Sequence, residues 1–462
     1  MKPRFFLVSA ALLLLLAACG KSPDNIIRTN VPARPAGQQS ALGLTAEPIE
    51  TVRIGVVGLG MRGSFGVERL SLVPGAVVTA LCDLLPDRVE ASKADLARMG
   101  KPAPTGCYSG EQESWRGLCE QEDVDLVYIC TDWLNHYPIA MYAMQCGKHV
   151  AIEVPAALDM DEIWGLVNQS EKTRKHCMML ENCVYDFFEM TSLEMARRGL
   201  FGEIIHVEGA YCHNLDPFWD EYWNNWRLDY NQKYRGDVYP THGIGPVCQV
   251  LGIHRGDRMT TLVSMDTKSF NGVRIASNHT GMPVTEFANG DETSTLIRTE
   301  KGKTLLIEHD VMTPRPYSRM YQLVGTDGYA SKYPIQEYCL RVDKPEGETN
   351  ARHISDEKVY RGEEMTALQE GYRNSILTPE LEKLAKEVGG HGGMDFIMDY
   401  RLVYCLRHGL PLDMDVYDLA EWCCIAPLSR LSLENGSMPV EVPDFTRGEW
   451  NKVAGFHYAL AK

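Results

Sequence analysis

The 462 residues carry 44% hydrophobic and 23% charged side chains, enough apolar material for two domains that each bury a core and too much for a disordered chain. A formal net charge of -16 argues against a polyanion-binding surface, because nucleic-acid affinity is built on Lys and Arg neutralising phosphates. A neutral or cationic partner is expected, and no nucleic acid.

The chain opens with Lys2 and Arg4, an apolar run from Phe5 to Ala18, and then Cys19. A run that short does not span a bilayer as a permanent helix and reads as a signal peptide over residues 1–18. Leu16-Ala17-Ala18-Cys19 has the form of a bacterial lipoprotein cleavage site, in which small residues precede a cysteine that is lipidated and becomes the new N-terminus. No Arg-Arg pair precedes the apolar run, so the route that carries folded protein is not indicated. The expectation is export to the cell envelope, periplasm or cell surface, with the membrane engaged only through the lipid on Cys19. From Gly20 to Glu50 the Pro, Ala, Gln, Ser and Asn content lacks apolar periodicity, so residues 19–50 read as lipid site and flexible tether. The other cysteines lie scattered without CxxC or Cys/His spacing. They read as small buried hydrophobes with no metal site, and export leaves room for one or two disulfides.

Val52-Arg-Ile-Gly-Val-Val57 is a β-branched strand that runs into Gly58-Leu-Gly60-Met-Arg-Gly63, followed by a helix-compatible stretch from Ser64 to Leu72. That order suits a pyrophosphate. Gly58 permits the tight turn, Gly60 lets backbone approach the phosphates, Gly63 allows close helix packing, and the helix start offers free N–H groups. A second strand, Ala76 to Cys82, ends in Asp83, where a carboxylate accepts ribose hydroxyls and repels a 2′-phosphate, selecting NAD over NADP. A strand from Asp125 to Cys130, a helix from Pro138 to Cys146 and the phrase Gly147-Lys-His-Val-Ala-Ile-Glu153-Val154-Pro155 continue the alternation of a doubly wound parallel sheet, giving a Rossmann domain over residues 51–190.

These phrases resemble the glucose-fructose oxidoreductase superfamily. Its dehydrogenases carry Lys in the middle of Glu-Lys-Pro, where this chain has Val154. An isopropyl group neither hydrogen-bonds nor moves a proton, so a plain alcohol-dehydrogenase mechanism is not expected.

Beyond about residue 190, strands at Ile204 to Tyr211, Ser294 to Arg298 and Thr304 to His309 predict an α+β domain over residues 191–462, built on an open, mainly antiparallel sheet that roofs the cofactor. The segment Phe218-Trp-Asp-Glu-Tyr-Trp-Asn-Asn-Trp-Arg-Leu-Asp-Tyr230 is rich in aromatic faces that stack on sugars, and Arg227 is placed to hold a substrate oxygen. A core or dimer-interface cluster is the equal alternative, so a homo-oligomer stays open. In Tyr239-Pro240-Thr241-His242-Gly-Ile-Gly245, Pro and Gly leave Tyr239 and His242 on a loop entering a helix. Histidine is the side chain best matched to taking a hydroxyl proton near neutral pH, and the superfamily carries its active-site His at this place.

The wording YPTHGIGP from Tyr239, Glu-Val-Pro at Glu153, Glu181-Asn182, Tyr211, Pro316-Tyr317 and Gly-Gly-His-Gly-Gly-Met-Asp from Gly389 to Asp395 together resemble the NAD-dependent α-N-acetylgalactosaminidases of glycoside hydrolase family 109. The resemblance implies cofactor contacts at Met61, Arg62, Asp83, Trp133, Leu134, Asn135, His136, Glu153, Val154 and Asn182. It implies substrate contacts at Tyr211, Arg227, Tyr239, Pro240, Thr241, His242 and Tyr317, with Glu181 beside the reacting carbons. The substrate it implies is a glycan ending in N-acetylgalactosamine. Tightly held NAD, recycled each turnover, takes hydride from C3 while His242, assisted by Tyr239, accepts the hydroxyl proton. Tyr211 or Glu181 then removes the acidified C2 hydrogen, the group at C1 leaves, water adds, and C3 is reduced again. Such a cycle dispenses with a pair of facing carboxylates and suits an exported enzyme, since free NAD is scarce outside the cytoplasm. Two other readings stand beside it, an exported NAD-dependent sugar or polyol oxidoreductase and a non-catalytic glycan-binding lipoprotein. His391 stays unassigned, explained by a turn ahead of a helix from Met394.

Overall fold

Short apolar strands buried on both faces build the first sheet, as parallel strands covered by helices must. β1 (Val52–Val57), β2 (Ala76–Asp83), β3 (Gly106–Ser109), β4 (Leu126–Ile129), β5 (His149–Ile152) and β6 (Cys177–Met179) pair in parallel in the order β3-β2-β1-β4-β5-β6. The order reverses between β1 and β4, which opens a crevice at the carboxyl ends of those strands. The computed structural model describes residues 25–342 and 356–461, so the signal peptide and Cys19 lie outside the described residues. No helix of the described residues is long and apolar enough to cross a membrane.

Two helices begin earlier than their sequence suggests. The first runs Met61–Leu70, directly from Gly60, because the glycine turn is tight enough for the helix to start inside the motif. The second runs Trp133–Gln145 and encloses Pro138. Asp132 caps it by accepting the Leu134 N–H at 3.1 Å. The carbonyl that Pro138 leaves without a donor belongs to Leu134, on an exposed turn.

The second sheet comprises β7 (Ile204–Cys212), β8 (Met259–Asp266), β9 (Thr293–Thr299), β10 (Thr304–Asp310), β11 (Gln322–Gly325), β12 (Gly328–Ser331), β13 (Glu337–Arg341), β14 (Glu357–Tyr360) and β15 (Val440–Glu441). Its order is β14-β13-β12-β11-β7-β10-β9-β8-β15, antiparallel except where β7 meets β10. The helix Thr241–Leu251 crosses β7 at glycine-to-glycine distance: a Cβ on Gly209 would lie 2.1 Å from the Gly243 carbonyl oxygen, and one on Gly243 would lie 2.5 Å from the Ala210 nitrogen. This close approach brings His242, at the start of the helix, beside Tyr211 on the strand.

The C-terminal helices return to the first domain. Asp399, on the helix Met394–His408, accepts from Arg69 at 2.6 Å and from the Tyr128 hydroxyl at 2.9 Å. Residues 25–50 correct the expectation of a flexible tether. Ile27 bridges to Val440, Arg34 pairs with Glu171 at 3.1 Å, and Ala41 donates its N–H to the Tyr417 hydroxyl at 3.0 Å, with Ala41 and Leu44 buried. The segment is a strap whose partners are fixed points on the folded domains. The cysteines of the described residues are unpaired thiols, most of them buried, so no disulfide forms among them.

Candidate active site

The cofactor groove is shaped by what glycine leaves out. Gly58 has φ +86°, and a Cβ there would stand 2.7 Å from the Cys130 carbonyl carbon. A Cβ on Gly63 would stand 1.7 Å from the Gly58 oxygen, so the helix can sit on the turn only without one. Gly60 meets nothing but the tip of Arg88, at 3.4 Å, and its backbone faces open space. The groove, about 270 Å³, is lined among others by Gly58, Gly60, Met61, Arg62, Asp83 and Asn135. Asp83 is held in place by the N–H groups of Leu59 (2.6 Å) and Leu85 (2.8 Å), one on each oxygen. A phosphate-sized cradle of bare backbone with an oriented carboxylate at one end fits a dinucleotide with a free ribose 2′-hydroxyl. Gly63→Ala is expected to destroy the cradle, so the purified variant should release no dinucleotide on denaturation, and a parental amount released would contradict the assignment.

The other proposed cofactor residues divide. Arg62 donates to Glu153 at 2.9 Å and to Asp395 at 3.2 Å, and Asn182 donates to the second oxygen of Asp395, so Glu153 and Asn182 are joined to the groove through Arg62 and Asp395. Val154 is buried and Leu134 exposed. The Trp133 ring stacks on Tyr239 with centroids 5.7 Å apart. His136 differs from the expectation of a contact, since its ring is 1% exposed and bridges the carbonyls of Pro155 (2.8 Å) and Thr131 (3.0 Å). Its side chain braces the wall of the groove from behind.

The reacting groups meet where β6, β7 and the Thr241 helix converge. His242 Nδ1 lies 2.7 and 2.9 Å from the two oxygens of Glu181, and Nε2 lies 3.2 Å from the Tyr239 hydroxyl. Gly245 makes room for this pair, for a Cβ there would touch the Glu181 side chain at 3.0 Å. Glu181 is completely buried and also accepts the Cys183 N–H at 3.1 Å. Burial alone would raise its pKa, but the charge and hydrogen bond of His242 and the Cys183 N–H outweigh it and hold the carboxyl below the ordinary value. Glu181 therefore stands behind His242, away from the open site, which corrects its expected place beside the reacting carbons.

Tyr211 faces Tyr239 (4.6 Å between rings) and His242 (5.4 Å). Burial pushes its phenol up to about 12, with Arg227 pulling the other way. The Arg227 guanidinium lies over the rings of Tyr239 (4.5 Å) and Trp133 (5.1 Å) and donates to the Tyr222 hydroxyl at 2.7 Å. The aromatic segment thus forms one wall of the site. Tyr317 is 42% exposed at its mouth. Pro240 and Thr241 are buried, with the Pro240 carbonyl accepting the N–H groups of Gly243 and Ile244. They set the turn that aims His242.

Two residues were missed from sequence. His213, two positions beyond Tyr211 and 3.0 Å from its hydroxyl, shares a face with it by strand periodicity. Asp395, in the Gly-Gly-His-Gly-Gly-Met-Asp phrase, ties His391 (2.9 Å) to Arg62 and Asn182.

Asp237, in the loop before Tyr239, is completely buried, and burial pushes its carboxyl up to about 7 while the Tyr239 N–H works against that. The fold favours its neutral form, so its contribution is complete below the unfolded value of about 4 and is lost as pH rises towards 7. Asp237→Asn cannot ionise. Its stability relative to the parent should climb between pH 4 and 7 by at most about 1.4 kcal/mol per pH unit, read from melting curves. Parallel curves for the two proteins would show that the carboxyl does not titrate there.

Comparison with known proteins divides the chain as the fold does. Residues 185–452 match the family model described as "Glycosyl hydrolase 109, C-terminal domain", and residues 52–181 match "Oxidoreductase family, NAD-binding Rossmann fold". "Glycosyl hydrolase family 109 protein 1" of Bacteroides thetaiotaomicron is 62% identical over 449 residues, covering 96% of this chain and 95% of the relative. A family 109 protein of Porphyromonas gingivalis is 59% identical over 456 residues, covering 98% and 96%. Among solved structures, levoglucosan dehydrogenase in complex with NADH and levoglucosan superposes with a TM-score of 0.63 at 15% identity, over 85% of this chain and all 100% of that one. Apo scyllo-inositol dehydrogenase from Lactobacillus casei gives 0.60 at 12% identity, over 85% and 99%. At such identities these two share the fold.

Proposed function

The chain belongs to glycoside hydrolase family 109 and is an NAD-dependent glycoside hydrolase, and on that premise we propose that it releases terminal α-linked N-acetylgalactosamine by a cycle with no net oxidation. The observation that carries this reading is the Glu181–His242–Tyr239 line with Tyr211 in ring contact, two proton-moving centres on one wall. The carboxylates nearest the site are already engaged, Glu181 by His242 and Glu153 and Asp395 by Arg62. Hydrolysis between two facing carboxylates is therefore not what these residues offer.

The chemistry the dinucleotide supplies when bound is the acceptance and return of one hydride. Gly58, Gly60, Arg62 and Asp83 would hold it. An ionised Glu181 can only accept, so neutral His242 carries its proton on Nδ1; its Nε2 lone pair, shared with the Tyr239 hydroxyl at 3.2 Å, receives the C3 hydroxyl proton, and the imidazolium so formed is the state whose charge Glu181 balances. With a ketone at C3 the C2 hydrogen becomes acidic, and Tyr211 takes it; the buried Glu181 does not. The electron pair left at C2 then expels the group at C1, and water takes its place. Arg227 fixes the ring stack of Tyr239, Trp133 and Tyr211 and so the angle between the two centres.

The test is to assay the purified protein on an aryl α-N-acetylgalactosaminide without added NAD. Turnover, with dinucleotide released on denaturation, is expected. Reduced dinucleotide accumulating in proportion to product would instead indicate a sugar oxidoreductase, and no turnover on any glycoside would indicate a binding protein. The same reading includes attachment to the cell envelope through a lipid on Cys19, supported by the Leu16-Ala17-Ala18-Cys19 phrase. Metabolic labelling with palmitate should mark the parent and miss Cys19→Ala.

A further inference from the structure

Tyr211 has a difficulty as a base. A phenol held at about 12 by burial is ionised in roughly one molecule in 10⁵ at pH 7, and only the phenolate removes a carbon-bound proton well. Something in the site has to favour its charged form. Arg227 contributes by its charge and by a hydrogen bond toward the phenol, its guanidinium carbon 5.8 Å from the Tyr211 centroid. A neutral group also meets the phenolic oxygen, His213 Nδ1 at 3.0 Å.

Building on the reading in which Tyr211 removes the C2 hydrogen, we propose that His213 donates a hydrogen bond from Nδ1 to the Tyr211 phenolate and makes it usable as the base. His213 follows directly on β7, and its backbone N–H is anchored to the Asp310 carbonyl at 2.8 Å. Its ring is held edge-on to Tyr317 at 5.1 Å and beside Phe218 at 5.6 Å, which leaves little freedom for it to turn away from Tyr211. The imidazole is also of the right kind. Burial first, and then the charges of Arg227, His242 and His391, lower its pKa to about 4, so it stays neutral through the working range and always carries one N–H. An ionised phenolate has no proton to offer and can only accept, so the 3.0 Å contact in that state is an Nδ1–H donor on an oxyanion.

The step balances without another reagent. The C2–H bond breaks, its proton goes to the Tyr211 oxygen, and its electron pair forms the enolate toward C3. The Tyr211 hydroxyl exchanges its proton with solvent while the sugar is unsaturated, and once water has added at C1 it returns a proton to C2. His213 changes no bond. It acts through Tyr211 as a positioning residue that lowers the cost of the phenolate at the start and end of each cycle.

Three variants separate this from a structural role. His213→Leu removes the donor, and C2 deuterium exchange from heavy water should fall about 100-fold, while the first appearance of reduced nicotinamide in a single turnover keeps its parental rate. His213→Asn places an amide near the position of Nδ1 and should recover exchange to within about 10-fold of the parent. In a Tyr211→Phe background, His213→Leu should add no further loss. The inference is overturned if His213→Leu exchanges at the parental rate, if Asn rescues nothing, or if His213→Leu slows nicotinamide reduction as much as exchange. A parent that shows no C2 exchange at all would reject the underlying cycle, an outcome distinct from any of these.

Discussion

Tyr211→Phe is expected to stop C2 deuterium exchange and to lower turnover by about 10³-fold while leaving oxidation at C3 intact. The phenol lies within ring contact of His242 and Tyr239 but is linked to neither through the Glu181 pair, so its loss leaves the C3 centre assembled. Phenylalanine keeps the ring against Tyr239 and removes one oxygen, an almost volume-neutral change. Substrate mixed with the variant should therefore give a burst of nicotinamide absorbance near 340 nm that decays slowly, because the ketone forms and cannot proceed. Exchange at the parental rate would move the C2 proton to another group, and loss of the burst would mean that Tyr211 also serves the first proton transfer.

The parts of this site legible in sequence are those whose geometry is local. Gly58, Gly60 and Gly63 are each demanded by backbone within a few residues, and Asp83 ends the next strand, so spacing alone carries the groove. The two-domain fold, with a parallel and a mainly antiparallel sheet, follows from apolar runs that are likewise local. What was not legible depends on distant partners. Whether Glu181 faces sugar or His242 is decided by a helix 61 residues on and by the missing Cβ of Gly245. Residues 25–50 show no periodicity because a strap pairs with scattered anchors, such as Glu441 and Glu171, and not with a core of its own. Thr241 reads as a site residue beside His242, yet the helical turn that exposes one buries the other. His213 lies two residues from Tyr211 on one strand face, but the apolar strand pattern ends at Tyr211 and does not mark it.

Glu181→Gln tests the other centre and should cost about 10³ to 10⁴ in turnover, although the side chain touches no substrate. In the parent, Glu181 accepts from both His242 Nδ1 and the Cys183 N–H, so the imidazole has a single tautomer with Nε2 unprotonated. In the variant the Cys183 N–H holds the carbonyl oxygen of glutamine at the Oε1 position, 2.7 Å from Nδ1, and the amide N–H₂ takes the Oε2 position, 2.9 Å from it. Nδ1 then faces a donor as well as an acceptor, so the tautomer with Nε2 unprotonated is no longer enforced and His242 receives the C3 hydroxyl proton poorly. The carboxylate that stabilises the imidazolium is lost as well. Since oxidation precedes every later event, this variant should show neither the nicotinamide burst nor C2 exchange, whereas Tyr211→Phe keeps the first. Stability should change less than for a truncation, because glutamine fills the same volume and keeps a hydrogen bond to each neighbour. A Glu181→Gln protein that hydrolyses at close to the parental rate would show that the Glu181 contact does not set the tautomer, and the base for the C3 proton would then have to be the Tyr239 phenol, 3.2 Å from Nε2.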